Sequence, residues 1–362
     1  MRIIILATEP SGDFLGAKLI KNLKKNKKAV ISGVGGDEMK AEGFKSWVQI
    51  NQFNAIGIFE VLIRIFKFLK LFKFIQRKIL DFKPDILITI DSPSFSYRIV
   101  KKLQRLRNKT KFIHYVAPTV WAWKSYRAKI FSELYDQMFT LFDFEPKYFK
   151  KFGLKTDFVG HQIFFDKKDI KKKKKYISFF PGSRTIEIKN NMKKLEEIIV
   201  KSEKIFSEFE IFILTLNDQA KYIKEIIKSK KIKIISDYTK KHQIMRETYL
   251  AVAASGSVTL ELIKYKVPTL VFYETHWITK SILKLFVKVK YASLINIVYK
   301  KEIIPEFLFN KFNSQNIIGT MRDFIKIKGL RSNQIKHFEN FQKKMLFNKK
   351  NPSDLIINKL KI

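Results

Sequence analysis

Short, continuous apolar runs recur along the chain, and a longer stretch with helical spacing follows most of them. IIILAT (3–8), AVISGVGG (29–36), DILITI (85–90), KFIHYVAP (111–118), QMFTLF (137–142) and FVGH (158–161) read as strands. Their apolar residues run on rather than alternate, which predicts strands covered on both faces, as in a parallel sheet. Between them, windows 13–26, 58–82 and 97–108 read as helices. KKDIKKKKK (167–175) has no apolar period and reads as an exposed linker. The pattern then restarts with YISFF (176–180), EIFILT (210–215), IKIIS (232–236), YLAVAA (249–254) and PTLVFY (268–273). Strand-helix alternation in two series predicts an α/β protein with two Rossmann-like, doubly wound parallel-sheet domains, 1–168 and 169–362. Both sheets are expected to point their C-terminal strand ends into a central cleft, where ligands bind.

One helical window departs from an ordinary amphipathic pattern. In VLIRIFKFLKLFKFIQRKIL (61–80), Arg64, Lys67, Lys70, Lys73, Arg77 and Lys78 share one half of the helical wheel. Val61, Leu62, Ile65, Phe68, Leu69, Phe72, Ile75, Ile79 and Leu80 take the other half. Ile63, Phe66, Leu71 and Phe74 stay on the basic side, which a purely solvated face disfavours. Phe66, Lys67, Lys70 and Phe74 are therefore expected to meet the headgroup boundary of an anionic membrane. The alternative is a surface helix packed on its own sheet, with lysines reaching out to water.

Composition changes this picture little. A chain of 362 residues is long for one core and agrees with two domains. The 72 Lys+Arg against 33 Asp+Glu give a net charge of +39, an excess that favours polyanions. A bias toward Lys, Ile, Asn and Phe accounts for the same excess, so charge alone decides nothing. The chain has no Cys, which removes disulfides and thiolate metal sites. Its first eight residues are too short for a signal peptide, and no run approaches the roughly 18–20 apolar residues that span a bilayer. A soluble or peripheral protein is expected.

The loops after the strands carry the candidate chemistry. In ATEPSGDFLGAKLI (7–20), Pro10 turns the chain, Gly12 permits close approach and Asp13 begins a helix. Glu9 there repels phosphate but suits sugar hydroxyls; a plain strand-to-helix turn is the alternative. In ITIDSPSFSYR (88–98), Asp91 directly follows a buried strand, where desolvation favours a general base; a helix-capping Asp is the other reading. In HYVAPTVWAWKSYRAKI (114–130), His114, Tyr115, Trp121 and Trp123 cluster, either to stack on sugars or acyl chains or as local core. The two-residue spacing keeps both tryptophans off one face, so at least one is expected to face the cleft.

YISFFPGSRTIEI (176–188) turns from strand to helix through Gly182, Ser183 and Arg184. Free N–H groups, a close backbone, a hydroxyl and a bidentate cation together suit a phosphate. AASGSVTLE (253–261) offers a second such turn in Ser255, Gly256, Ser257 and Thr259, with Glu261 one helical turn on. Two anion-binding turns suggest a diphosphate, and the carboxylate suits ribose hydroxyls. No metal site is expected: the five His are scattered, and no acidic pair of DxD type lies in a suitable loop. No GxSxG elbow supports a hydrolase.

Taken together, these segments resemble the lipid A disaccharide synthase family. EPSGDFLGAKLI, GVGGDEMKAEGF (33–44), IGIFEVL (56–62), PDILITIDSPSF (84–95), HYVAPTVWAWKSYRAKI, FVGH, FPGSR, ASGSVTLE and SLINI (293–297) run in family order over about 300 residues. The resemblance implies a GT-B fold and an inverting glycosyltransferase that needs no metal or other cofactor. Its substrates would be UDP-2,3-diacylglucosamine and 2,3-diacylglucosamine 1-phosphate (lipid X), giving a β-1,6 disaccharide and UDP. Asp91 and Arg184 match essential family residues. Gly182, Ser183, Ser255, Gly256, Ser257, Thr259, Glu261 and Asn296 fall on the UDP side; Glu9, Ser11, Gly12, Asp13, His114, Trp121 and Trp123 fall on the acceptor side. The implied setting is the cytoplasmic face of the inner membrane, held peripherally, and the resemblance permits a homodimer or a last helix that crosses back to the first domain. The chain departs from the family where IDAPDFN reads IDSPSFS, with Ser94 for an acidic residue and Ser96 for Asn. Thr8 and Ile295 replace a glycine and a proline. The competing readings are another enzyme on this fold, such as a UDP-sugar epimerase, and a nucleic-acid-binding protein. The basic Phe-rich helix speaks against the first, and the lack of a recognition helix, zinc knuckle or RNP-like motif against the second.

Overall fold

Twelve described strands take up the apolar runs: β1 (Arg2–Ala7), β2 (Val30–Val34), β3 (Ile86–Ile90), β4 (Lys111–Tyr115), β5 (Gln137–Thr140), β6 (Lys155–Phe158), β7 (Tyr176–Phe180), β8 (Glu210–Leu214), β9 (Lys233–Ile235), β10 (Leu250–Ala254), β11 (Thr269–Tyr273) and β12 (Glu306–Leu308). The computed structural model describes residues 1–25, 29–53, 61–165, 170–183, 185–274, 290–346 and 350–361, with 51 and 61–67 described by backbone alone. The chain divides into two compact units, Met1–Phe165 with Met345–Ile362, and Asp166–Lys344.

The first unit holds a parallel sheet in the order β2-β1-β3-β4-β5-β6. Ile3, Ile4 and Ile5 of β1 are all fully buried, so both faces of the strand are covered and its apolar residues cannot alternate. The chain leaves β1 toward β2 on one side and returns through helix Val61–Phe82 to β3 on the other. That reversal leaves an open crevice beyond the C-terminal ends of β1 and β3. The register pairs Ala7 with Ile90, so the turn after β1 lies level with Asp91.

The second unit repeats the logic with the order β12-β11-β10-β7-β8-β9, again parallel. Here the reversal falls between β7 and β10, and Ala253 pairs with Phe180. The turns that begin at Pro181 and Ser255 are thereby neighbours. Two doubly wound parallel sheets of this kind are the architecture of GT-B proteins.

Several expectations need correction. The strand expected at 158–161 lies at Lys155–Phe158, because Gly160 turns left-handed (φ 84°) and ends the extended path. β12 was not anticipated, being three residues long with a buried glutamate, Glu306. The lysine run is not wholly an exposed linker. Lys173 Nζ donates to the carbonyls of Arg246 (2.8 Å) and Tyr265 (2.9 Å), which end two helices, and burial pushes its amine down to about 8. Lys174 pairs with Glu247 at 2.9 Å. The last helix, Pro352–Leu360, packs on the first unit, where Lys359 pairs with Asp157 at 2.7 Å.

Helix Val61–Phe82 packs Phe68, Leu71, Phe72, Ile75 and Ile79 onto the core of the first unit. Leu71, expected on the basic side, joins this contact line, while Leu69, expected on the apolar side, is 48% exposed. The contact face follows the i, i+3, i+4 positions from Phe68, and Leu69 lies about 100° away from it. Phe74 is 41% exposed among the exposed Lys70, Lys73, Arg77 and Lys78, and the Lys78 ammonium sits 5.7 Å from its ring centre. The side chains of Phe66 and Lys67 lie outside the described residues. Among the described residues, no helix is long and apolar enough to cross a membrane.

Candidate functional site

The buried strand β3 ends in two residues with left-handed backbone, Asp91 (φ 56°) and Ser92 (φ 46°). Such conformations cost about 1–3 kcal/mol each and persist only where their surroundings enforce them. Here the enforcement is visible. The Asp91 N–H donates to the Tyr115 carbonyl at 2.9 Å, and the Ser96 hydroxyl donates to the Asp91 carbonyl at 2.8 Å. The turn lifts the half-buried Asp91 carboxylate off the sheet toward the end of β1. There Oδ2 accepts from the Ser11 hydroxyl and Oδ1 from the Ser92 N–H, both at 2.8 Å. Each carboxylate oxygen can accept more than one bond, so capacity to take a proton remains. Ser92 also donates its hydroxyl to Glu9 Oε1 at 2.9 Å and accepts one from Thr8 at 2.8 Å. Ser92 thus joins the Glu9 and Asp91 carboxylates, and Ser96 and Thr8, two of the departures from the family pattern, both brace this turn.

Other residues expected beside an acceptor turn inward. Asp13 is almost fully buried and accepts the N–H groups of Gly36 (2.7 Å), Glu38 (3.0 Å) and Met39 (3.1 Å). It caps the short helix Asp37–Ala41 from a neighbouring helix, so its carboxylate is taken up by backbone N–H groups. Gly12 does allow close approach, but of the β3 backbone: an added Cβ would lie 3.1 Å from the Ile90 carbonyl oxygen. His114 is fully buried on β4, its Nδ1 2.7 Å from the Thr89 hydroxyl and its ring against Phe131. Burial pushes the imidazole down to about 3, so it stays neutral. Trp121 donates its indole N–H to Glu145 at 3.2 Å and meets Phe144 edge-on. Glu145, which the sequence did not single out, is buried and pushed up to about 8 by desolvation. Trp123 stays partly exposed, with the Lys124 ammonium 5.4 Å from its ring centre.

In the second unit, Gly182 carries φ 124°, and a Cβ there would meet Glu187 Oε2 at 2.7 Å. That carboxylate accepts the Ser183 N–H at 3.2 Å, so an acid in the first turn of helix Thr185–Ile205 holds a donor that a phosphate could take over. Arg184 lies outside the described residues. After β10, the Ser255 hydroxyl donates to the Ala292 carbonyl (3.1 Å) and Thr259 to the Gly256 carbonyl (2.7 Å), while Gly256 and Ser257 are exposed. Glu261 is partly exposed, yet desolvation raises its carboxyl against the pull of Lys241 and Lys264. His242 Nδ1 stands 3.7 Å from it, and burial, with Lys241, Arg246 and Lys264 nearby, pushes that imidazole down to about 4.

Asn296, expected on the nucleotide side, has its side chain engaged within the second unit. It is fully buried, its Nδ2 donating to the Ile304 carbonyl (2.7 Å) and Glu306 Oε1 (2.8 Å) and its Oδ1 accepting from the N–H groups of Ile303 and Ile304. Glu306, which the sequence did not reveal, also accepts the N–H groups of Ala292 and Ser293. This clip fixes the segment that holds Ser255. Among the described residues, no cluster of three or more His, Asp or Glu could hold a metal ion.

Comparison with known proteins extends these observations. A family described as Lipid-A-disaccharide synthetase matches residues 3–359. A lipid-A-disaccharide synthase of Rickettsia bellii (strain OSU 85-389) is 37% identical over 336 residues, covering 88% of this chain and 87% of that one. One from Rickettsia prowazekii (strain Madrid E) is 36% identical over 351 residues, covering 93% and 90%. Among solved structures, UDP-GlcNAc 2-epimerase from Neisseria meningitidis bound to UDP-GlcNAc aligns with TM-score 0.66 at 14% identity, covering 99% of each chain. The spinosyn rhamnosyltransferase SpnG aligns with TM-score 0.59 at 11% identity, covering both chains fully. At such identities the two structures speak for the fold alone.

Proposed function

The chain belongs to the lipid-A-disaccharide synthetase family and is a glycosyltransferase that forms the lipid A disaccharide, and from that premise we propose that it joins UDP-2,3-diacylglucosamine to 2,3-diacylglucosamine 1-phosphate with Asp91 as general base. The observation that carries this reading is the cradle of Asp91: a strained left-handed turn at the reversal point of the first sheet, aiming a carboxylate held by Ser11 and Ser92.

Asp91 takes the proton of the acceptor's 6-hydroxyl as that oxygen bonds to the donor's anomeric carbon. The bond from that carbon to the UDP oxygen breaks in the same displacement, so an α-linked donor gives a β-1,6 product. The leaving diphosphate gathers negative charge, which falls to Arg184, the Gly182–Ser183 N–H groups and the turn of Ser255, Gly256, Ser257 and Thr259, rather than to a metal ion. Glu261 takes the ribose hydroxyls. Glu9, coupled to Asp91 through Ser92, suits a hydroxyl of the acceptor sugar.

The test is product analysis. Purified protein with both substrates and no added metal is expected to yield UDP and a tetraacyl disaccharide phosphate by mass spectrometry. UDP release without the disaccharide would overturn the acceptor assignment.

Both substrates are lipids, and the exposed Leu69, Lys70, Lys73, Phe74, Arg77 and Lys78 support docking of helix Val61–Phe82 at an anionic membrane surface. Anionic vesicles should co-sediment the protein at low salt, and Lys70→Glu with Phe74→Ser should weaken that binding at least about tenfold, near 1 kcal/mol being expected per basic residue. Equal binding by the double variant would move the docking surface elsewhere.

A further inference from the structure

We infer that Arg127 receives the phosphate of the acceptor, making it a specificity-determining residue for a phosphorylated acceptor sugar. The inference rests on the acceptor reading above and deepens it.

Arg127 opens helix Arg127–Leu134, where the helix dipole opposes a cation. Its guanidinium makes one neutral contact, Nη2 to the Ser94 hydroxyl at 3.2 Å, and among the described residues it has no carboxylate partner. Arg107 of the same unit shows the usual alternative, pairing with Asp136 at 3.0 Å. A guanidinium always carries its charge and presents donors in a planar fork that matches phosphate oxygens. Beside a hydroxyl at a helix start, that fork is open to a phosphate.

The surroundings fit an anion from solution. Ser94 is exposed and is the second residue of helix Pro93–Lys102, so two helix starts meet at the Arg127–Ser94 contact. Both bring positive potential to the same place. Ser94 can also donate once a phosphate oxygen replaces Arg127 as its partner, since a hydroxyl rotates to suit. An acidic residue at position 94, as the resembled pattern has it, would neutralise this charge; Ser94 leaves it available.

Position selects which phosphate. Ser94 lies three residues beyond Asp91, so their Cα atoms are at most about 10 Å apart. A hexose carrying its 6-hydroxyl and 1-phosphate on either side of the ring oxygen bridges such a span. With the 6-hydroxyl at Asp91, the 1-phosphate falls toward Arg127. A donor diphosphate belongs instead to the turns of the second unit, and a membrane headgroup has no reason to lie so near the base.

The test compares wild type with Arg127→Gln and Arg127→Lys, varying the acceptor at saturating donor. Two acceptors are used, 2,3-diacylglucosamine 1-phosphate and 2,3-diacylglucosamine without the phosphate. Arg127→Gln should raise KM for the phosphorylated acceptor about 10- to 100-fold, as loss of a charged hydrogen bond does, with KM for the donor unmoved. Arg127→Lys should recover part of the loss, because it restores charge without the fork. With the unphosphorylated acceptor, the difference between wild type and Arg127→Gln should shrink below about threefold, the logic of a double-mutant cycle. An unchanged KM for the phosphorylated acceptor would overturn the inference, as would an equal penalty on both acceptors. If wild type releases UDP but never glycosylates the phosphorylated acceptor, the acceptor reading itself falls and takes the inference with it.

Discussion

Asp91→Asn is expected to lower turnover by about 10²–10⁴, the range a positioned general base contributes, while leaving UDP affinity within about twofold of wild type. A loss of that size corresponds to roughly 3–5.5 kcal/mol of barrier. The substitution isolates the proton transfer because the cradle survives it. The Ser92 N–H can still donate to the amide oxygen, and the Ser11 hydroxyl can rotate to accept from the new NH₂ group. The strained turn is held by the Tyr115 carbonyl and the Ser96 hydroxyl, neither of which touches the carboxylate. UDP affinity is assigned to residues of the second unit, so isothermal titration with UDP provides the control. Single-turnover rates that stay within about tenfold of wild type would remove Asp91 from the role of base. Glu9 would then be the next carboxylate to test, since Ser92 already links it to the site.

How much of this the sequence reveals depends on what kind of physics fixes each part. The two sheets were legible because strands buried on both faces must be apolar throughout, and runs such as IIILAT and DILITI admit few other readings. Asp91 was legible for a related reason, since a carboxylate directly after such a strand must leave the sheet. Side-chain direction was not legible. In a strand covered on both faces, no alternation says which way His114 points, and the structure turns it under helix Arg127–Leu134 beside Thr89. The partners of Asp13 and Asn296 were not legible, because they are backbone groups more than six residues away, which no local pattern encodes. Glu145 follows Phe144 and Glu306 precedes Phe307, but apolar neighbours alone do not say that a carboxylate is buried; tertiary packing buries both. The Thr8–Ser92–Glu9 chain is an intermediate case. Each residue was visible as a loop residue, but their hydrogen bonds needed the β1–β3 register to bring them together.

The second large effect belongs to Asp13, and it separates a structural role from a catalytic one. Asp13→Ala is expected to destabilise the first unit by about 3–5 kcal/mol, because it leaves three N–H groups in and around a helix start without their charged acceptor. The methyl group cannot reach them, and each buried N–H left without its acceptor costs its desolvation. For a unit of this size, the loss amounts to a fall of roughly 10 °C in its midpoint. Tryptophan fluorescence is a suitable probe, since Trp47, Trp121 and Trp123, three of the four tryptophans of the chain, lie in the first unit. Turnover should change in proportion to the folded fraction: well below the variant's midpoint, kcat and acceptor KM should match wild type. A variant that melts like wild type but turns over poorly would reverse the assignment. It would return Asp13 to the acceptor side, where the sequence alone had put it, and leave the three N–H contacts as a minor contribution to stability.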